Sequence, residues 1–145
     1  MEIYTIGFTK KSAREFFESL RRHGIERLVD VRINNTSQLA AFAKRDDLEY
    51  FLDELLGAEY VHEPLLAPTK ELLKSYRDGE IDWDSYERAF LDLMAARRIE
   101  KVVPKELFGK RTVLLCSEAT PERCHRRLVV EYLDRAWGDV EAVHL

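Results

Sequence analysis

Three observations predict a three-layer α/β domain with a mainly parallel sheet. Short apolar runs alternate with longer stretches whose apolar residues recur at helical spacing. Glycines at 24, 57 and 138 close three of those stretches. One run, Val113-Leu114-Leu115-Cys116, is apolar enough to be buried on both faces, as a strand covered by helices on each side must be.

The elements follow in order. Glu2 to Ile6 reads as a strand stopped by Gly7. Thr9 or Ser12 is placed to cap a helix carrying Ala13, Phe16, Phe17 and Leu20, which His23-Gly24 closes. Arg27 to Val31 is the second strand, and Arg32 to Lys44 is a loop with a short helical turn. Asp46 or Asp47 then caps a helix with Leu48, Phe51, Leu52, Leu55 and Leu56 on one side. Glu59 to His62 is the third strand, followed by a loop punctuated by Pro64 and Pro68.

Thr69 begins a short helix ending at Asp78-Gly79, and Asp82 caps a longer one bearing Trp83, Tyr86, Phe90, Leu91 and Met94. Arg97 to Lys110 is a charged connection, and Arg111 to Cys116 is the fourth strand. Thr120-Pro121 reads as the start of the last helix, a capping residue followed by proline at the first helical position. Val140 to Val143 is a fifth strand. The expected strand order is 3-2-1-4-5, within a single domain spanning residues 1–145.

At 145 residues and 46% apolar composition, the chain can bury a core without disulfides or structural metals. A net charge of -4 disfavours a general nucleic-acid coat, and no run approaches the ~18 apolar residues of a membrane span. With no signal-like start, the reading is a cytoplasmic protein whose two cysteines are free thiols. Oligomeric state leaves no mark in the sequence.

Ligands of open α/β sheets sit outside the carboxyl ends of the strands, where the winding reverses. If the first and fourth strands are neighbours, Gly7, Phe8 and Thr9 face Cys116, Ser117 and Glu118 across a crevice. The second strand brings Asp30 and Arg32 to the same rim, and the third brings His62. Both cysteines, His125 and Arg126 fall within eleven residues, from Cys116 to Arg126, a density that packing alone does not call for. A helix N-terminus beside cations favours a thiolate there.

The combination of Tyr4-Thr5-Ile6-Gly7, Leu28-Val29-Asp30-Val31-Arg32 and Leu114-Leu115-Cys116-Ser117-Glu118 with Pro121 and Cys124-His125-Arg126 resembles the family of domain of unknown function 488. The resemblance covers nearly the whole chain and implies a Rossmann-like α/β domain without an established activity. Relatives often carry a Pro-x-Ser arrangement after the arginine of the second strand. This chain has Asn34-Asn35-Thr36-Ser37 there instead.

These residues support an enzyme-like domain that binds an anionic small molecule, such as a nucleotide or a phosphorylated compound. Cys116 is the candidate nucleophile, His125 its base and Glu118 an acid–base partner. Gly7, Thr9, Asp30, Arg32, Ser117, Cys124 and Arg126 are the candidate ligand-binding residues, with Arg32 and Arg126 holding the anion. Each has a plainer reading: Cys116 as a small buried apolar residue, Asp30 and Arg32 as a pair bracing the rim, and Trp83, Tyr86 and Phe90 as core or a partner surface.

The spacing fits neither a phosphatase loop nor a Cys-x-x-Cys redox pair. No dinucleotide or phosphate-loop fingerprint is present, so no cofactor is expected. A soft metal would draw on Cys116, Cys124 and His125, with His62 or Glu118. Adjacent helical positions 124 and 125 point in different directions, so no metal is expected either. The second functional reading is a non-catalytic module binding nucleic acid or protein through the same rim, although the acidic pI near 5.6 disfavours nucleic acid.

Overall fold

The computed structural model describes residues 1–34, 41–118 and 121–145. Five strands form one wholly parallel sheet: β1 (Glu2–Gly7), β2 (Arg27–Asp30), β3 (Glu59–His62), β4 (Thr112–Cys116) and β5 (Glu141–His144). Between them run α1 (Ala13–Arg22), α2 (Arg45–Leu56), α3 (Lys70–Arg77), α4 (Trp83–Arg97), α5 (Ile99–Val102) and α6 (His125–Trp137). The three-layer α/β architecture matches the sequence expectation. No helix among the described residues is long and apolar enough to cross a membrane.

The strand order is β3-β2-β4-β1-β5, which corrects the expected 3-2-1-4-5 by exchanging the first and fourth strands. The physical reason lies in burial. All five residues of β4 are buried, so the strand is best satisfied at the centre, paired to β2 and β1. β1 starts at the exposed Glu2 and pairs on its outer side with the edge strand β5.

Alternation along the strands divides the core in two. Tyr4, Ile6, Leu28, Val113 and Leu115 point to one face, where they meet Phe16, Phe17 and Leu20 of α1 and Leu48 and Leu52 of α2. Ile3, Val29, Val31, Leu114 and Cys116 point to the other, against Tyr86, Phe90 and Met94 of α4 and Leu128, Val129 and Leu133 of α6. Cys116 therefore belongs to the α4–α6 side of the sheet.

Helix ends follow capping chemistry with one correction, at α2. Ser12, rather than Thr9, caps α1, its Oγ accepting the Glu15 N–H at 3.1 Å. Thr69 and Asp82 cap α3 and α4 as expected. At α2 the cap position is Lys44, without a side-chain cap, and Asp46 and Asp47 lie in the first turn, where carboxylates suit the positive end of the helix dipole. Gly24 and Gly57 adopt positive φ, which closes their helices without steric cost.

The last helix starts later than expected. Thr120 and the loop residues Asn35, Thr36 and Ser37 lie outside the described residues. Pro121 opens a turn closed by the Cys124 N–H on the Pro121 carbonyl at 3.2 Å, and α6 begins only at His125. Cys124 sits at the cap in extended conformation, φ -137° and ψ 138°. His125 and Arg126 are held in the first turn by bonds to Val31 and Glu118, which sets where the helix can start.

On the outer edge of the sheet, Thr5 Oγ1 meets His144 Nδ1 at 2.5 Å. Burial, then the charges of Arg126 and Arg127, hold the His144 pKa below its ordinary value. An NMR titration of His144 is expected to give a midpoint below about 6.5. The unfolded chain then binds the proton more readily than the fold does. Stability is full above pH ~6.5 and declines as pH falls through the window down to the folded midpoint. A midpoint at or above the ordinary histidine value would contradict this environment.

Candidate functional site

With β4 between β1 and β2, the segments following all three strands converge at their carboxyl ends. The β1 and β4 loops are joined directly: the Thr9 N–H donates to the Ser117 carbonyl at 3.1 Å, and the Thr9 hydroxyl donates to the same oxygen. Gly7 is required by this approach. A Cβ there would lie 1.5 Å from the Glu118 carbonyl oxygen and 2.6 Å from Arg126 Nη1. The first contact is with backbone, which cannot swing aside as a flexible side chain could.

Asp30 and Arg32 form a buried, bidentate pair. Arg32 Nε and Nη2 each reach a separate Asp30 oxygen at 2.8 Å, and Nη2 also donates to the Ala43 carbonyl at 2.7 Å. The Tyr60 hydroxyl donates to Asp30 Oδ2 at 2.6 Å, and the Arg32 guanidinium lies over the Phe8 ring. Period-two spacing on the strand makes the bidentate geometry available. His62 stands behind, its Nε2 donating to the Arg32 carbonyl at 3.0 Å.

Across the rim stand the two thiols and the imidazole. Cys116 Sγ is 3.4 Å from His125 Nδ1, and His125 Nε2 lies 2.7 Å from the Val31 carbonyl. A carbonyl only accepts, so Nε2 carries the proton; Cys116 Sγ, 3.4 Å from Nδ1 and 3.8 Å from Nε2, lies over the ring rather than in line with the Nδ1 lone pair. The Phe90 ring packs against the imidazole with centroids 5.5 Å apart. Arg126 is wholly buried; its Nη1 donates to the Glu118 carbonyl at 2.5 Å and lies 3.8 Å from Cys124 Sγ. Its Nε and Nη2 have no partner among the described residues.

The thiols are driven apart in acidity. Burial opposes ionisation of Cys116, but the Cys124 thiol, the Ser117 N–H, the Arg126 charge and the Glu118 N–H outweigh it and lower its pKa. For Cys124, burial comes first, and the hydrogen bond to Cys116 and the charge there add to it, so its pKa rises well above the ordinary thiol value.

The expected divergence of positions 124 and 125 does not occur. Cys124 precedes the helix in extended conformation, so the helical rotation between neighbours does not apply to it. Cys116, Cys124 and His125 instead bring one ligand atom each to within 4.8 Å of one another.

A cavity of about 480 Å³ opens over this group. Of the sequence-derived candidates, Arg32, Cys116, Ser117, Glu118, Cys124 and His125 line it. Gly7, Thr9, Asp30 and Arg126 do not; they support the wall from behind. Arg126 in particular has no exposed surface, so it is placed to act on the thiols rather than on a ligand in the cavity.

The opposite wall comes from α3 and the start of α4, which sequence reasoning left out of the site. Lys70, Lys74, Arg77 and Tyr76 line it together with Trp83, whose ring stacks on Tyr86 at 5.2 Å. Tyr86 and Phe90 are core, as their spacing suggested. The missed signal was the placement of cations at 70, 74 and 77, one helical face.

A family model described as domain of unknown function DUF488 matches residues 12–133 of the 145. No curated protein and no solved structure matches the chain.

Three substitutions check this construction. Asp30→Ala strands the buried guanidinium of Arg32 and is expected to cost about 3–5 kcal/mol in urea unfolding. Tyr60→Phe, which removes one donor and keeps the pair, should cost clearly less. Gly7→Ala is expected to cost about 3 kcal/mol or more, because the added carbon overlaps backbone. A Gly7→Ala protein as stable as the parent would show that the two loops do not meet as described.

Proposed function

The chain belongs to the family of domain of unknown function DUF488, and from that premise we propose an enzyme-like α/β protein whose pocket binds an anionic ligand, such as a nucleotide or a phosphorylated compound. The observation that carries this reading is the cavity's charge. Arg32, Lys70, Lys74, Arg77 and Arg123 line it against only Asp78 and Glu118, in a chain that is acidic overall. Such a local reversal of sign draws anions to one place.

Two further features support the reading. The cavity lies at the carboxyl ends of β2 and β4, the position at which open parallel sheets commonly hold ligands, and its volume is within the small-molecule range. The Tyr76 and Trp83 rings, 5.5 Å apart and edge to face at 65°, offer an apolar aromatic corner beside the cations. That pairing suits a ligand with both a planar ring and a negative group, and favours a nucleotide over a bare phosphate. Arg32 would meet the ligand already oriented by Asp30, which limits the entropy lost on binding.

AMP and inorganic phosphate are suitable probes. In a Trp137→Phe background, Trp83 is the sole tryptophan and reports on the wall. AMP is expected to change its fluorescence saturably, phosphate to compete, and added salt to weaken both. The double change Lys74→Glu and Arg77→Glu should weaken AMP by about tenfold or more, with circular dichroism checking the fold. If neither AMP nor phosphate binds at millimolar concentration, or if the double variant binds equally well, the reading is wrong.

A further inference from the structure

The soft donors at the floor of the cavity carry an inference that does not depend on the anion reading. Cys116, Cys124 and His125 are 4%, 2% and 7% exposed, and their ligand atoms all lie within 4.8 Å of one another. Tetrahedral zinc, with sulfur at about 2.3 Å and nitrogen at about 2.0–2.1 Å, places a sulfur and a nitrogen about 3.5 Å apart. Cys116 Sγ and His125 Nδ1 are 3.4 Å apart, and because Nε2 is also 3.8 Å from the sulfur, binding a metal requires the imidazole to turn its Nδ1 edge toward the thiols.

The surroundings hold these donors in the required state. The Val31 carbonyl accepts a hydrogen bond from His125 Nε2–H and so leaves Nδ1 as the unprotonated donor atom. That is the support a metal-bound imidazole ordinarily has from its other nitrogen. N–H groups surround the sulfurs: Ser117 and Glu118 toward Cys116, and Arg126 Nη1 toward Cys124 at 3.8 Å. Phe90 packs against the imidazole with a tilt of 48° between the rings.

We propose that Cys116, Cys124 and His125 form a three-ligand zinc site whose fourth position opens onto the cavity that all three line. Two thiolates and a soft nitrogen suit zinc better than the oxygen-seeking cations. On binding, each thiol releases its proton to solvent, so the two thiolates balance the zinc charge. The buried Arg126 then leaves one positive charge beside the site, and the fourth ligand is expected to be an anion or a water that has lost a proton. In this arrangement Cys116 is a ligand, not a free nucleophile.

The test uses the full chain, stripped with a chelator under reducing conditions and titrated with Zn²⁺ against a competing chromophore. Co²⁺ serves as the spectroscopic stand-in. One equivalent should bind, and the cobalt form should show thiolate-to-metal charge transfer with the strong visible bands of a tetrahedral site. Cys116→Ser, Cys124→Ser and His125→Ala should each weaken zinc by about 100-fold or more, while His23→Ala should not.

Alkylation of the unmutated chain gives a measurement that needs no variant. Zinc should slow modification of both Cys116 and Cys124 by at least about tenfold. Charge transfer of undiminished intensity in both cysteine variants, the absence of saturable one-to-one binding, or alkylation unaffected by zinc would each overturn the proposal. The anion reading fails separately. Zinc binding without any AMP or phosphate response removes that reading alone, and AMP binding without a cobalt–thiolate spectrum removes this one alone.

Discussion

The fully buried guanidinium of Arg126 is the constraint around which the carboxyl end of the sheet is arranged. It sits at the root of α6, one nitrogen bonded to the Glu118 carbonyl and close to Cys124 Sγ, with no carboxylate paired to it among the described residues. Removing such a charge from water costs several kcal/mol unless neighbours compensate. Its compensation comes from a backbone carbonyl and from sulfur. That arrangement fixes the loop after β4 close over Gly7, leaves no room for a side chain there, and sets the two thiols beside a permanent positive charge.

A second charge, on the opposite side of the cavity, is handled differently. Arg32 has a bidentate carboxylate from Asp30, and that carboxylate is also held by Tyr60. The pair is nearly closed upon itself and gives that wall rigidity. The rim therefore joins a satisfied ion pair at β2 with an incompletely satisfied cation behind β4. The chemically open side is the one that carries the sulfur and imidazole donors, and the zinc proposal draws on that asymmetry.

Much of the candidate site is legible in the sequence. The segment from Cys116 to Arg126 announced itself by density, and Asp30 and Arg32 by period-two spacing beside a strand end. Other parts were not legible, for identifiable reasons. Reading Thr120-Pro121 as a helix start assigned helical geometry to Cys124, and with it a false divergence from His125. The cationic face of α3 looked like an ordinary solvated face, since nothing local reveals that Lys70, Lys74 and Arg77 cross the mouth of a cavity.

The boundary between the two sources of information follows the range of the forces involved. Helical and strand periodicity, glycine stops and most caps depend on residues a few positions apart, so the order of elements and the two-sided burial of the sheet could be read from the chain directly. Strand order could not, because β4 competes with β1 for the centre through burial summed over both faces and both neighbours. Nor could the meeting of His125 with Val31, 94 residues away, or of Thr9 with Ser117, 108 residues away. Those contacts exist only once the sheet has brought its strand ends together, and they decide that Cys124 turns toward Cys116 rather than along a helix.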